Sequence, residues 1–311
     1  MRKNIKLIFS STSGFFSLIL LILCLGFAAC KSKPIPVIPP EMALPSLVFE
    51  KIEAEDPIHL NLSYNLKMEN PFPLAGRVKL ESWRVELNGQ KAGAGFTLEK
   101  SESLDFTIMA AAAGGEPASV SVPVRLNMDV SALKAQGLAP ADDYKVKLIL
   151  DLNFSQNKAV QDPDQSITLE VSGLAAFPGV QAPVFNITSI AILKAELINT
   201  RFRVGLKIDN PNPFPVELSA FGYELYGNGR LWADGVEKNI LKVNAKSSLQ
   251  GNLFLLMNFI NMKRDLLDQI INLIDVNYRF AGEAQVGAGV EYLPAFKTSF
   301  DLSGYSQVLE K

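Results

Sequence analysis

The feature that most constrains the fold is a pattern that the chain contains twice. Residues 60–69 alternate strictly between apolar and polar side chains, and residues 201–209 repeat that alternation. A period of two is typical of a β-strand that has one face in a core and one face in water. We therefore predict two corresponding strands, and around them two related β-rich units.

Both predicted strands run into a proline tract. The first tract is Asn70-Pro71-Phe72-Pro73, and the second is Asn210-Pro211-Asn212-Pro213-Phe214-Pro215. Proline donates no backbone hydrogen bond, so each tract is expected to be extended at a strand end or edge. A second alternating segment follows in each half and ends in Asn-Gly, the strongest short hairpin signal, at Asn88-Gly89 and Asn228-Gly229. Because the spacing is nearly the same in both halves, we predict an internal duplication.

Each half also contains one helix candidate. Residues 129–136 form the first, with Gly137 as its C-terminal stop, and residues 261–274 form the second, with Leu266, Ile270 and Ile274 on one face. The predicted fold is mostly β, with two tandem antiparallel β-sandwich domains that each carry one helix. We place the domains at residues 45–180 and 181–311.

The second half carries a resemblance to a known family. Its alternating strand, its Asn-Pro-Asn-Pro-Phe-Pro tract, the aromatic segment at 221–226, the Asn-Gly turn and the downstream helix resemble the late embryogenesis abundant type 2 family, also described as the water stress and hypersensitive response (WHy) domain. The first half matches less closely, since its tract lacks the second Asn-Pro. The resemblance implies fibronectin-III/immunoglobulin-like sandwiches, an association with desiccation or stress tolerance, and no catalytic residues.

Residues 1–29 are predicted to be a signal peptide. Arg2 and Lys3 precede an apolar run at 15–29, which is shorter than the roughly 20 residues of a membrane-spanning helix. The sequence Phe27-Ala28-Ala29-Cys30 resembles the lipobox of bacterial lipoproteins, which implies that Cys30 is acylated and becomes the new N-terminus. An ordinary secretory signal with a chance cysteine and an uncleaved short anchor are the alternatives.

Residues 30–44 are predicted to be a proline-rich tether, because prolines at 34, 36, 39 and 40 keep a chain extended. The expected partner is a membrane, contacted through the N-terminal lipid, together with protein or lipid components of the cell envelope. Lys31 after the cysteine resembles lipoproteins sent to an outer membrane rather than an inner one. The expected location is thus the cell envelope, facing the periplasm or exposed at the surface.

Composition argues against several classes of function. With 30 Lys and Arg against 32 Asp and Glu, the chain shows no basic footprint for nucleic acid. One histidine and two cysteines supply few ligands for zinc, and Cys24 lies in the predicted signal peptide. We predict no cofactor and no metal site. The acidic pairs at 142–143 and 162–164 are predicted to lie in turns. The glycines at 91–95 and 285–289 are predicted to lie in strands or hairpins.

His59 is the only histidine and is predicted to be exposed on the polar face of the first strand. A hydrolase that uses it as a base has the least support, because nothing nearby specifies its partners. We predict a non-catalytic, lipid-anchored envelope protein with a binding or protective role. The alternative is a lipid-binding or lipid-transfer module. In that hypothesis the apolar run at 253–262 lines a groove between helix and sheet, rather than forming a core strand.

Overall fold

The structure is a computed structural model that describes residues 43–113, 115–138, 141–156, 166–194, 199–258 and 275–310. Residues 43–311 form one compact unit. The described residues form a short 3-10 turn at Ser101–Leu104 and the following elements: β1 Ser46–Ala54, β2 His59–Asn70, β3 Gly76–Leu87, β4 Gln90–Ala92, β5 Phe96–Glu99, β6 Phe106–Ile108, β7 Ala118–Asp129, α1 Val130–Ala135, β8 Asp143–Gln156, β9 Ser166–Pro178, β10 Val184–Lys194, β11 Asn199–Asp209, β12 Val216–Gly227, β13 Arg230–Glu237, β14 Leu241–Val243, β15 Ser248–Asn258, β16 Asp275–Gly287 and β17 Phe296–Glu310.

The first half is a sandwich of two antiparallel sheets. One sheet has the strand order β1-β2-β7-β5, and the other has the order β4-β3-β8-β9, with β6 also paired to β3. Alternate side chains of β2 and β8 are buried, among them Leu62, Tyr64 and Leu148. The Tyr64 hydroxyl donates to the Val146 carbonyl at 3.4 Å, which joins the two sheets. The alternation of residues 60–69 therefore predicted the core-facing side chains correctly.

The eight strands described in the second half form one connected sheet. Its order is β13-β12-β16-β17-β10-β11-β15, and β14 pairs with β12. A short parallel pairing, from Ile190 opposite Val308 to Ile192 opposite Glu310, joins β10 to β17. Because β13 and β15 are in contact, the sheet folds back over an aromatic core that contains Phe185, Phe221, Phe280 and Phe300. The prediction of a mostly-β, antiparallel, sandwich-like fold is confirmed.

The strand after the Asn-Gly hairpin differs between the halves. In the first half β4 ends after three residues, and the chain crosses to the other sheet, where β5 pairs with β7. Gly95 allows this crossing: its φ is +86°, and a Cβ there would lie 2.8 Å from the Leu133 Cγ. In the second half the corresponding strand, β13, stays paired with β12 and runs for eight residues.

The first predicted helix is confirmed as α1. Asp129 is its N-cap, because a carboxylate oxygen accepts from the backbone N–H groups of Ser131 (2.9 Å) and Ala132 (3.1 Å). Gly137 has a φ of +75° and ends the helix as predicted. The second predicted helix, at 261–274, lies outside the described residues.

Contacts from several loops join the two halves. Tyr292, between β16 and β17, accepts a hydrogen bond from the Ala54 N–H (3.0 Å), and its hydroxyl donates to the Pro178 carbonyl (2.5 Å). The Tyr292 ring packs edge-on against Phe177 at 5.8 Å, and burial raises the pKa of its hydroxyl well above the usual range. The boundary at 180/181 remains a prediction, since the described halves pack as parts of one unit.

Candidate functional site

The first asparagine-proline tract is held in place by a buried side chain. Asn70 is fully buried, and its amide donates to the carbonyls of Leu74 (2.9 Å) and Met109 (2.7 Å). Its side-chain oxygen accepts from the Phe72 N–H at 3.0 Å, which fixes the turn through the prolines. Asn70 therefore ties the end of β2 to the segment that follows β6.

The second tract has the same buried asparagine. Asn210 donates to the carbonyls of Phe214 (2.8 Å), Asn244 (3.0 Å) and Val243 (3.2 Å). Its side-chain oxygen accepts from both the backbone and the side-chain nitrogen of Asn212, each at 2.9 Å. With its polar atoms satisfied, the buried amide specifies the path of the tract.

Asn212 has no equivalent in the first tract, and it reaches the connection between the halves. It is fully buried, and its amide donates to the Gln181 carbonyl at 2.8 Å. Its side-chain oxygen accepts from the Gln181 N–H at 2.7 Å, so one side chain satisfies both backbone groups of that residue. The motif that carries the family resemblance is thus an internal anchor rather than a surface site.

His59 lies at the start of β2 and is exposed, as predicted. Its Nδ1 lies 3.0 Å from an Asp56 carboxylate oxygen, and the side chain is 68% exposed. The hydrogen bond to Asp56 and then its charge raise the pKa of His59 above the ordinary value of 6.5. The other Asp56 oxygen accepts from the backbone N–H groups of Ile58 and His59, both at 2.7 Å, so Asp56 shapes the turn.

The remaining polar candidates lie apart from His59. Asp142 forms an ion pair with Lys246 at 2.5 Å and so joins the halves, while Asp143 begins β8. The acidic residues at 162–164 lie outside the described residues. Within the described ranges there is no group of three His, Cys, Asp or Glu side chains that could hold a metal ion.

The apolar run at 253–262 divides between two faces of β15. Leu253 and Leu255 are buried in the core, whereas Phe254 and Leu256 are 69% and 56% exposed. The rest of this run, from residue 259, lies outside the described residues. Residues 1–42, which include Cys30, also lie outside them. No helix in the described part of the chain is long and apolar enough to cross a membrane.

The structure brings together a surface that the sequence did not predict. On the outer face of the second half, Tyr226 of β12, Asn277 and Arg279 of β16, and Ser303 and Tyr305 of β17 line an open groove of about 700 Å³. Register places Tyr226, Arg279 and Ser303 side by side on adjacent strands. We call these five residues the tyrosine-arginine groove.

An ion pair and a hydrogen bond position the Arg279 and Tyr226 side chains of the groove. The Arg279 guanidinium donates two hydrogen bonds to the Asp301 carboxylate in a bidentate pair, both at 2.8 Å. It also lies 5.5 Å from the centre of the Tyr226 ring. The Tyr226 hydroxyl donates to Glu224 at 2.8 Å, and this bond raises the pKa of Tyr226. The Arg279 bond lowers the pKa of Asp301. The groove is therefore an open aromatic and polar surface whose cation is already paired.

The comparisons with known proteins single out the second half. Residues 205–297 match the late embryogenesis abundant protein family. This segment begins in β11 and ends in β17, and contains both buried asparagines of the second tract. No curated protein matches the chain.

Solved structures give distant likenesses. A protein from Archaeoglobus fulgidus is 17% identical with a TM-score of 0.28, over 42% of this chain and 98% of that one. A β-glucuronidase from Bacteroides uniformis is 10% identical with a TM-score of 0.20, over 78% of this chain and 26% of the enzyme. A glycosyl hydrolase family 2 member from Bacteroides cellulosilyticus is 6% identical with a TM-score of 0.24, over 78% and 28%. Scores this low carry no argument about function.

Proposed function

We propose that the chain is a non-catalytic, lipid-anchored protein of the cell envelope. In this proposal Cys30 carries the lipid and residues 30–44 form the tether. The two halves are tandem domains of the late embryogenesis abundant type 2 kind. They act by binding envelope components or by protecting them under water stress, at an outer rather than an inner membrane.

The observation that carries the proposal is the family match at residues 205–297 together with the buried asparagine that both halves share. Asn70 is the last residue of β2 and Asn210 directly follows the corresponding strand β11, and each bonds the backbone of its own proline tract. The match thus supports a stress-related, non-enzymatic role for the second half, and the common anchor extends the argument to the first.

The tether sets how far the body can stand from a membrane. Fifteen residues rich in proline, at 30–44, extend by at most about 50 Å. Durable attachment needs more than one acyl chain, which the acylation of a lipoprotein cysteine supplies. The proposal therefore puts the folded body within reach of both the lipid surface and the components beside it.

Cell fractionation tests the anchor. Cys30→Ala is expected to move the protein from the membrane fraction to the soluble fraction, because it removes the acylation site. Cys24→Ala is the matched control, since it changes a cysteine within the predicted signal peptide and leaves Cys30 in place. Membrane attachment that survives Cys30→Ala would contradict the proposed anchor.

Exposed apolar side chains favour a second candidate, a lipid-binding or lipid-transfer module. Phe254 and Leu256 on β15 are exposed, and Arg201 and Arg203 lie opposite them on β11. This candidate predicts acyl lipids that co-purify with the protein and are lost in Phe254→Asp. Leu255 is a less suitable position for a charged residue. It is buried, so a charge there would test whether the protein folds rather than whether it binds lipid. Intact-mass measurement without bound lipid would exclude this candidate.

A further inference from the structure

We propose that the tyrosine-arginine groove binds a neutral oligosaccharide, that is, a chain of uncharged sugar rings from the envelope. The inference rests on the proposed binding role and deepens it by naming a ligand class. Its ground is the combination of an exposed tyrosine, Tyr305, and a half-buried one, Tyr226, with short polar side chains on one open sheet face.

The shape of the groove suits a ligand of more than one ring. Tyr226 and Tyr305 lie on β12 and β17, and β16 separates them, so their backbones are roughly 10 Å apart across the sheet. Tyr305 is 63% exposed, and the strand pairing sets Asn277 directly opposite it. Aromatic faces carry partial negative charge and attract the positively polarised C–H groups that a sugar ring presents.

The polar side chains of the groove match hydroxyl groups. Asn277 supplies both a donor and an acceptor, and the Ser303 hydroxyl can act as either. Sugar hydroxyls also donate and accept, so such a pairing leaves few groups unsatisfied. A small number of placed polar groups beside apolar surface is the usual composition of a ligand site.

Charge in the groove favours a neutral ligand over an anionic one. Arg279 is the only cation among the described residues that line it, and Asp301 already binds two of its nitrogens. Glu224 adds a second carboxylate at the margin, bound to the Tyr226 hydroxyl. An incoming phosphate or carboxylate would lie close to the carboxylates of Asp301 and Glu224, and this repulsion opposes anion binding.

The first half lacks this surface at the corresponding positions. Glu86 lies opposite Lys147 there, as Tyr226 lies opposite Arg279, and the two side chains are 3.9 Å apart. Leu174 and Ala176 of β9 then take the places of Ser303 and Tyr305. Corresponding strand positions therefore hold one ion pair in the first half. In the second half they hold two tyrosines with paired polar groups.

Calorimetric titration of the full chain tests the proposal, in a detergent whose headgroup is not a sugar. The probes are neutral hexasaccharides of β-1,4-linked glucose and of N-acetylglucosamine, with inorganic phosphate as the anionic comparison. We expect at least one hexasaccharide to bind and phosphate not to compete. Tyr305→Ala is expected to weaken binding about tenfold or more, since it removes one stacking surface.

Two further variants keep the test decisive. Lys147→Ala removes the corresponding cation of the first half and is expected to leave the affinity unchanged. Tyr226→Phe keeps the ring and loses the bond to Glu224, so it is expected to retain most of the binding. No binding of either hexasaccharide, equal losses in Tyr305→Ala and Lys147→Ala, or competition by phosphate would each overturn the proposal. The fractionation of Cys30→Ala is independent of these results, so the anchor and the sugar site can fail separately.

Discussion

The two halves share a buried asparagine, and among the described residues the second half alone adds another one. Asn70 bonds within its own half, to Leu74 and Met109, whereas Asn210 is followed by Asn212, which bonds to Gln181 between the halves. The asparagine at the start of each proline tract therefore has the same internal role in both halves, and Asn212 adds bonds to the connection between β9 and β10. The outer faces diverge further, since a Glu86–Lys147 pair corresponds to Tyr226 and Arg279.

The largest expected effect comes from removing the anchors. Asn210→Ala is expected to lower the free energy of unfolding by about 3 kcal/mol and Asn70→Ala by about 2 kcal/mol, because each leaves buried backbone groups without partners and Asn210 has more of them. Denaturant titration measures both. Asn65→Ala is the control, since its bonds with Glu50 and Ser121 are exposed and their loss should cost at most about 0.5 kcal/mol. Equal losses of unfolding free energy in Asn70→Ala and Asn210→Ala would contradict the larger contribution expected of Asn210.

Asn212→Ala is expected to act on the joining of the halves more than on either half. It removes both bonds to the Gln181 backbone and the side-chain bond to Asn210, and the expected loss in the free energy of unfolding is about 2 kcal/mol. Because these bonds hold the connection between β9 and β10, which joins the halves, we expect the single unfolding transition to broaden or divide. Scanning calorimetry of Asn212→Ala beside Asn70→Ala distinguishes the two effects. A sharp single transition in Asn212→Ala would show that its role is local.

Tyr292→Phe tests another contact between the halves with a smaller change. It removes the hydroxyl that donates to Pro178 and keeps the ring against Phe177. The expected loss is about 1 kcal/mol, typical of one intramolecular hydrogen bond. Thermal unfolding of Tyr292→Phe and of the Asn212→Ala, Tyr292→Phe double variant measures whether the two contacts couple. Strict additivity would mean that they act independently.

The smallest expected effect is a pH dependence that belongs to the first half, which holds the only histidine. Asp56 raises the pKa of folded His59 above 6.5, so protonation of His59 adds stability. That stability is present below the unfolded pKa and is lost as the pH rises through the folded pKa. Proton NMR titration should show the His59 pKa falling towards 6.5 in Asp56→Asn. An unchanged pKa would show that Asp56 is not its main partner.

Much of the frame could be predicted because strand periodicity is local. The alternation at 60–69 and 201–209, the Asn-Gly turns and the helix at 129–136 depend on neighbouring residues, and the described structure contains them. The proline tracts could be predicted to lie at strand ends. The side-chain hydrogen bonds of Asn70 and Asn210 could not be assigned from the sequence. Met109 and Val243 lie 39 and 33 residues away along the chain.

The tyrosine-arginine groove was missed because it depends on register between three strands. Tyr226, Arg279 and Tyr305 become neighbours only when β12, β16 and β17 are aligned, and a one-residue slip would put any of them on the opposite face. The pairing of β12 with β16 also shifts between Ser219 and Gly222. The parallel pairing of β10 with β17 was missed for a similar reason, since it joins residues far apart in sequence. Aromatic residues at exposed strand positions were the one available signal.

Residue-resolved NMR during titration with a neutral hexasaccharide tests the central claim, that the halves share a frame and that the second half alone carries the binding face. The account predicts shifted amide resonances at Tyr226, Asn277 and Tyr305, with those of Glu86 and Lys147 unchanged. Shifts of equal size in both halves, or no shifts in either, would contradict it.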